Sequence, residues 1–158
     1  MGWNTSALFL HGATAQDAVD SVAAESPTGE RAGPDEATTG LAPESLYAAE
    51  SHGWAQVWNP MVILEWEPDD AVTALTAYFS SVASTYGFTL YESGEIRRRY
   101  VFSEGEVVVD EGEPLPVEST IEVPSWGPDE DFVWAVITAV TGVTYDENLV
   151  YQAWALAV

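Results

Sequence analysis

The segment from Tyr86 to Glu118 constrains the fold of this chain more than any other stretch. Apolar residues alternate with polar ones along most of it, which is the period of a strand with one buried face. Two dipeptides that favour tight turns, Ser93-Gly94 and Glu104-Gly105, divide the segment into three parts. The segment therefore predicts a three-stranded antiparallel meander.

Burial of the apolar residues selects the register of the first hairpin. A three-residue turn with Gly94 at a positive φ places one apolar set on a single face: Tyr86, Phe88, Leu90, Ile96, Tyr100 and Phe102. A slip by one residue would oppose Phe88 to Arg99. We therefore predict the register that keeps the apolar set together.

Three of the four basic residues of the chain are adjacent in this segment: Arg97, Arg98 and Arg99. A two-residue second turn sets Arg99 opposite Asp110 and Arg98 opposite Glu111, and leaves Arg97 without an assigned acid. Alternation sends Arg97 and Arg99 to one face and Arg98 to the other. The three arginines are candidate binding residues for an anion or a partner's carboxylate. The competing interpretation is that they neutralise acids of the neighbouring strand, at about 0.2–1 kcal/mol per cross-strand pair.

The rest of the chain predicts an α+β fold with a mixed, mostly antiparallel sheet of about five to seven strands and two or three helices packed on one face. Further strands are expected over 5–11, 54–58, 61–66 and 150–158, helices over 15–24, 68–84 and 128–141, and a helical turn over 43–51. Thr14 and Asp17 suit a capping box at the start of the first helix. The length favours one domain over 1–158.

Residues 25–43 are rich in Ser, Pro, Thr, Gly and Glu, and contain Arg31. Loops longer than about 12–15 residues are either functional or disordered, and this one has few apolar residues to order it. The composition therefore predicts a mobile loop over 25–43.

The charge balance is extreme, because 26 Asp and Glu residues oppose four Arg and give a net charge of −22. Three interpretations follow: a compositional bias of the whole proteome, an acidic face that docks on a basic partner protein, or mimicry of a nucleic-acid backbone. Direct nucleic-acid binding is not expected, because four Arg cannot form the basic stripe that counterion release requires.

Neither a membrane span nor a secretory signal is expected from the sequence. The longest apolar run, Phe132 to Val143, is interrupted by threonines and is shorter than the roughly 20 residues that cross a bilayer. The N-terminus lacks a basic segment followed by a long apolar one. We therefore expect a protein without membrane contact.

Motifs for catalysis or cofactor binding are missing from the sequence. Without cysteine there are no disulfides, thiolate chemistry or cysteine zinc sites, and no phosphate-binding loop is present. His11, at the expected end of the first strand, is a candidate acid or base if a carboxylate lies nearby. His52 is the only other histidine, and the spacing supports no metal site. We expect neither metal nor cofactor.

Several segments resemble small α+β proteins of actinobacterial type. The likeness rests on G-W-N-T-S-A-L-F, Y-G-F-T-L-Y-E-S-G-E-I-R-R-R, E-G-E-P-L-P, and W-G-P-D-E-D-F before a helix that ends in T-G-V-T. The resemblance implies an α+β fold and a bacterial cytoplasmic setting. It implies no activity, so no functional residue is carried over.

Together these observations favour a non-enzymatic acidic interaction protein, of the kind that inhibitors and immunity proteins represent, with a basic protein as its partner. The alternatives are a small ligand-binding or hydrolytic domain that uses His11 with a carboxylate, and an acidic mimic of nucleic acid.

Overall fold

A nine-stranded antiparallel sheet is the framework of the protein in a computed structural model, which describes residues 4–22, 24–38, 45–60, 66–68, 71–121, 130–145 and 148–156. The strands are β1 (Asn4–His11), β2 (Ala24–Ala32), β3 (Ser45–Ser51), β4 (Trp54–Trp58), β5 (Ala74–Ser80), β6 (Thr85–Glu92), β7 (Glu95–Ser103), β8 (Glu106–Gly112) and β9 (Tyr151–Leu156). Their order is β2-β9-β3-β4-β1-β5-β6-β7-β8, so β1 is central and β2 and β8 are the edges.

Both faces of the central part of the sheet are buried, because helices lie on both. They are α1 (Ala15–Asp20), α2 (Pro34–Thr38), α3 (Glu130–Thr141) and a 3-10 helix, η1 (Pro116–Ser119). Along β1, Ala7 and Phe9 join the core under α3, whereas Leu8 and Leu10 join the core under α1. The predicted combination of helices with a mostly antiparallel sheet is confirmed, although helices make up a smaller part of the described chain than an α+β fold implies. The predicted five to seven strands and the single covered face are wrong, and the described chain is mostly β.

The helix predicted over 68–84 is wrong, since the structure places β5 there. The spacing of four apolar residues is that of one face of a helix: Val72, Leu75, Phe79 and Val82. The segment is nevertheless a strand, because burial within the sheet outweighs this pattern. Leu75, Ala77 and Phe79 enter the core on the α3 face, and Ala74 enters the core on the other. A strand buried on both faces loses its polar alternation, so its apolar residues can fit a helical period by chance.

The predicted loop over 25–43 also differs from the structure, which places β2 and α2 within it. Pro27 and the scarcity of apolar residues suggest a loop, but an edge strand tolerates proline because one side of it is unpaired. The helical turn predicted over 43–51 is wrong as well, because β3 occupies Ser45–Ser51. The strand predicted over 61–66 lies almost wholly outside the described residues.

Several local predictions are confirmed. Thr14 caps α1, its hydroxyl accepting from the Asp17 N–H while the Asp17 carboxylate accepts from the Thr14 N–H. Gly142 follows α3 with a φ of 80° and donates its N–H to the Thr138 carbonyl. None of the helices in the described ranges is long and apolar enough to cross a membrane.

The register of the first hairpin is confirmed in its main part, where Phe88 pairs with Tyr100 and Tyr86 with Phe102. The three-residue turn is wrong: Ser93 and Gly94, both at positive φ, form a two-residue turn. An extra residue on β7, Arg97, then restores the register as a β-bulge. The predicted pairing of Phe88 with Tyr100 therefore results from a two-residue turn followed by a one-residue bulge.

A second bulge changes the predicted pairing of β7 with β8. Phe102 pairs with Val107 as predicted, but Val101 then pairs with Val109, so Val108 is the extra residue. Every later pair shifts by one: Arg99 is opposite Glu111, and Arg98 is opposite Gly112. The predicted oppositions of Arg99 to Asp110 and of Arg98 to Glu111 are therefore wrong.

Gly112 is required by its backbone conformation and by its contact with Arg97. Its φ is 82°, and a Cβ at this position would lie 2.1 Å from the Arg97 carbonyl oxygen. The Gly112→Ala variant should lower the free energy of unfolding by more than the roughly 1–2 kcal/mol that a left-handed backbone costs by itself, because β7 or β8 must also move. The matched control is Gly29→Ala. Gly29 has a φ of 83°, and a Cβ added there would have no atom within 4 Å beyond its chain neighbours. Equal losses of unfolding free energy in the two variants, measured by urea unfolding, would contradict a clash between a side chain at position 112 and the Arg97 carbonyl.

Candidate functional site

Arg98 is the most deeply buried charged residue described, with 1% of its surface exposed. The bulge at Arg97 places Arg97 and Arg98 on the same face of the sheet, the α3 face, because both oppose Leu90. The predicted separation of these two arginines onto opposite faces is therefore wrong. Arg99 lies on the other face, where its Nε donates to Thr89 Oγ1 at 3.3 Å.

Two carboxylates and two carbonyls hold the Arg98 guanidinium. Its Nε and Nη2 donate to the two oxygens of Glu118 at 3.0 and 2.7 Å, a bidentate pair. Its Nη1 donates to Asp110 Oδ1 and to the carbonyls of Glu111 and Gly112. Arg98 thus satisfies its donors inside the protein, as the internal-neutralisation interpretation predicts, although its principal partner is Glu118.

These contacts also set the pKa values of Arg98 and Tyr100. Burial lowers the pKa of Arg98, but hydrogen bonds and charges from Glu118 and Asp110 outweigh it, so the pKa is raised. Burial raises the pKa of Tyr100, and the charges of Asp110 and Glu118 raise it further against the opposing charge of Arg98. The guanidinium lies 4.9 Å from the centre of the Tyr100 ring. Arg98 therefore stays charged and Tyr100 neutral at physiological pH.

The Arg98–Glu118 pair fixes the position of η1. Glu118 Oε2 also accepts from the Leu115 N–H at 2.6 Å, which caps η1 at its first turn. Sequence reasoning missed this role of Glu118, although proline at the first position of η1 and glutamate at the third are a helix-start signal. The cap and the ion pair together hold the chain around Leu115 against the sheet.

A pocket of about 390 Å³ lies between η1, α3 and the ends of β4, β6 and β7. Its walls are mainly apolar, formed by Trp54, Leu90, Leu115, Val117 and Val140. Because η1 supplies one wall, the buried Arg98–Glu118 pair shapes the pocket without lining it. The volume falls within the roughly 300–1,000 Å³ typical of small-molecule sites.

Arg97 and Glu92 are the charged residues that line this pocket. Arg97 Nε lies 3.1 Å from Glu92 Oε1, and the side chain of Arg97 remains 43% exposed. Sequence reasoning left Arg97 as the arginine without an assigned acid. The structure assigns it Glu92, from the preceding strand, because the bulge turns Arg97 toward the α3 face.

The two histidines form no catalytic arrangement within the described ranges. His11 is exposed at the end of β1, where its ring centre lies 4.9 Å from that of Trp54, and it makes no ion pair with a described carboxylate. His52 forms the β3–β4 turn with Gly53 and packs on Gly142. No group of three potential metal ligands occurs among the described residues.

Gln56 is a buried polar residue that sequence reasoning did not identify. Its Oε1 accepts from Trp58 Nε1 at 2.8 Å and from the Tyr151 hydroxyl at 3.0 Å, linking β4 to β9. Its Nε2 is buried without a hydrogen-bond partner. A single Gln between two tryptophans in W-A-Q-V-W gives no sign that its side chain is needed as an acceptor by a distant tyrosine.

The edge strand β8 is the most acidic exposed element of the described chain. Exposed acids occur at five positions in and around it: Glu104, Glu106, Asp110, Glu111 and Glu113. Between them Val107 and Val108 are 48% and 57% exposed. Among the described strands β8 pairs only with β7, so one of its backbone edges faces outward.

Searches of protein-family models, of curated proteins and of solved structures find no match to this chain.

Proposed function

We propose that this protein is a non-enzymatic interaction domain that binds an extended basic segment of a partner protein along β8. The single observation that carries the proposal is the combination at this edge of unpaired backbone, exposed valines and nearby carboxylates, of which only Asp110 makes a described ion pair. An extended segment can add to a sheet edge through main-chain hydrogen bonds, while alternate side chains supply specificity.

The negative charge of β8 determines which kind of partner segment can bind along its edge. Sheet edges invite pairing between identical copies unless charges or bulges oppose it, and β8 has both acids and the Val108 bulge. Two copies of a chain with a charge of −22 repel each other at an acidic edge. A basic segment is attracted by the same charges, so the edge discriminates against self-association and in favour of a basic partner.

The valines give the edge an attraction that does not depend on charge. Val107 lies on the α3 face, opposite Phe102, and Val108 occupies the bulge. Their exposed surface provides apolar contact for alternate side chains of an added strand. We therefore expect a partner segment in which basic and apolar residues alternate.

The test uses a fluorescent peptide of alternating Lys and Val, with a peptide of alternating Glu and Val as the negative control. Fluorescence anisotropy should show binding of the first peptide only. The affinity should fall steeply between about 0.01 M and 1 M salt, as the Debye length shrinks from about 30 Å to about 3 Å. Replacing Val108 by Lys should weaken binding by about tenfold, equivalent to about 1.4 kcal/mol.

The matched control is Val150→Lys, which makes the same charge change at a valine of equal exposure (56% against 57% for Val108) outside β8. It should change the affinity far less than Val108→Lys. Equal losses in the two variants would mean that only net charge matters, as a nucleic-acid mimic predicts, and would overturn the β8 proposal. Failure of the Lys-Val peptide to bind at low salt would overturn it too.

The proposal assigns no direct nucleic-acid contact and no role to His11, and we base no enzymatic proposal on that residue. A cytoplasmic setting is part of the proposal and is supported by the resemblance to actinobacterial-type proteins.

A further inference from the structure

The pocket under α3 combines an apolar interior with one cationic side chain, Arg97, and one anionic side chain, Glu92, at its rim. Trp54, Leu90, Leu115, Val117 and Val140 form walls that can bury a hydrocarbon or aromatic body. This site is separate from the outward edge of β8, because it lies between α3, η1 and the sheet. An inference about it therefore goes beyond the proposed function.

Arg97 brings unused hydrogen-bond donors to this rim. Among the contacts of the described residues, its guanidinium is engaged only through Nε, with Glu92. An arginine carries five N–H donors, so both terminal nitrogens remain available for an acceptor. Two parallel N–H bonds from a guanidinium match the two oxygens of a carboxylate.

The backbone of Arg97 is held firmly where it meets the pocket. Its carbonyl packs against Gly112 so closely that no side chain fits there. The next residue, Arg98, is anchored by Glu118 and Asp110. A cationic group on a fixed bulge, next to a pocket of defined shape, is arranged to orient a bound anion.

We infer that this pocket binds a small apolar carboxylate, with its hydrocarbon or aromatic body between η1 and α3 and its acid group on the terminal nitrogens of Arg97. A chain with a charge of −22 repels small hydrophilic anions, so an apolar body is needed to supply the favourable burial. Arg97 then makes the pocket selective for those apolar ligands that carry a carboxylate.

The test titrates octanoate, octanamide and octylammonium into the intact chain. Binding is followed in two-dimensional NMR spectra by the backbone N–H signals of Leu115 and Ala139 and by the indole N–H signal of Trp54, which Trp54→Phe identifies. Octanoate should shift these three signals saturably and bind about tenfold more tightly than octanamide, a difference of about 1.4 kcal/mol. Octylammonium should bind more weakly than octanoate.

The Arg97→Gln variant should abolish the preference for octanoate over octanamide, because it removes the cation and leaves the Glu92 carboxylate at the rim. Its matched control is Arg31→Gln, which removes the same charge from an exposed position on β2, at the opposite edge of the sheet. That control should retain the preference for octanoate. Ala139→Phe, at an exposed position of α3 that lines the pocket, should abolish binding of both ligands.

Three results would overturn the inference: tighter binding of octylammonium than of octanoate, equal effects of the two arginine variants, or no saturable shift at the three reporter signals. None of these readouts involves the basic peptide of the previous section. Failure of the pocket site and failure of the β8 proposal are therefore distinguishable.

Discussion

Replacing Glu118 by alanine should lower the free energy of unfolding by about 3–5 kcal/mol, the cost of breaking a buried ion pair from one side. Arg98 would keep its charge in a site with 1% exposure. Asp110 would remain as a partner, but it reaches only Nη1, so the bidentate contact to Nε and Nη2 would be lost. The variant would also lose the cap that Glu118 provides for Leu115. Urea unfolding followed by tryptophan fluorescence measures the loss.

Glu113→Ala is the control, because Glu113 is an exposed glutamate that makes no described ion pair. It removes the same charge and should change the stability by less than about 0.5 kcal/mol. The double variant Arg98→Met, Glu118→Leu removes both ions, and should be more stable than Glu118→Ala because no unpaired charge stays buried. A Glu118→Ala loss as small as that of Glu113→Ala would show that Arg98 does not depend on this carboxylate.

The Trp58→Ala variant should also lower the free energy of unfolding by about 3–5 kcal/mol, because it removes the largest fully buried side chain among the described residues. The indole ring centre lies 5.8 Å from those of Phe9 and Phe79 and 5.3 Å from that of Trp134, so it joins β1, β5 and α3. Its Nε1 also donates to Gln56, a group that is itself buried. Thermal and urea unfolding should both show the loss.

Trp58→Phe should recover part of this stability, since a ring remains but the hydrogen bond to Gln56 does not. Where Trp58→Ala does not fold, Trp58→Phe supplies the measurable intermediate. Tyr145→Ala is the comparison at the periphery of the same cluster, because Tyr145 packs edge-on against Trp134 but is 38% exposed. A Trp58→Ala loss no larger than that of Tyr145→Ala would contradict the central position of Trp58 in the core.

The sequence identified the parts of the fold in which local chemistry and burial agree. Alternation located the meander and the pairing of Phe88 with Tyr100, and Thr14 with Asp17 located the start of α1. Prediction from the sequence failed for β5, where both faces are buried, and for β2, where an edge position tolerates a composition typical of loops. In both segments a deciding factor is a strand that lies far away along the chain, β1 for β5 and β9 for β2.

For the candidate sites, the sequence by itself determined which residues are chemically unusual: three adjacent arginines in a chain with 26 acids. Only the tertiary structure decided what each arginine does. The bulge at Arg97 turns two of them to one face, and η1 brings Glu118 to Arg98. A bulge moves every later residue by one position, and no pattern of residue types marks where the extra residue falls. The partners of the arginines therefore follow from the pairing of the strands, while their rarity follows from composition alone.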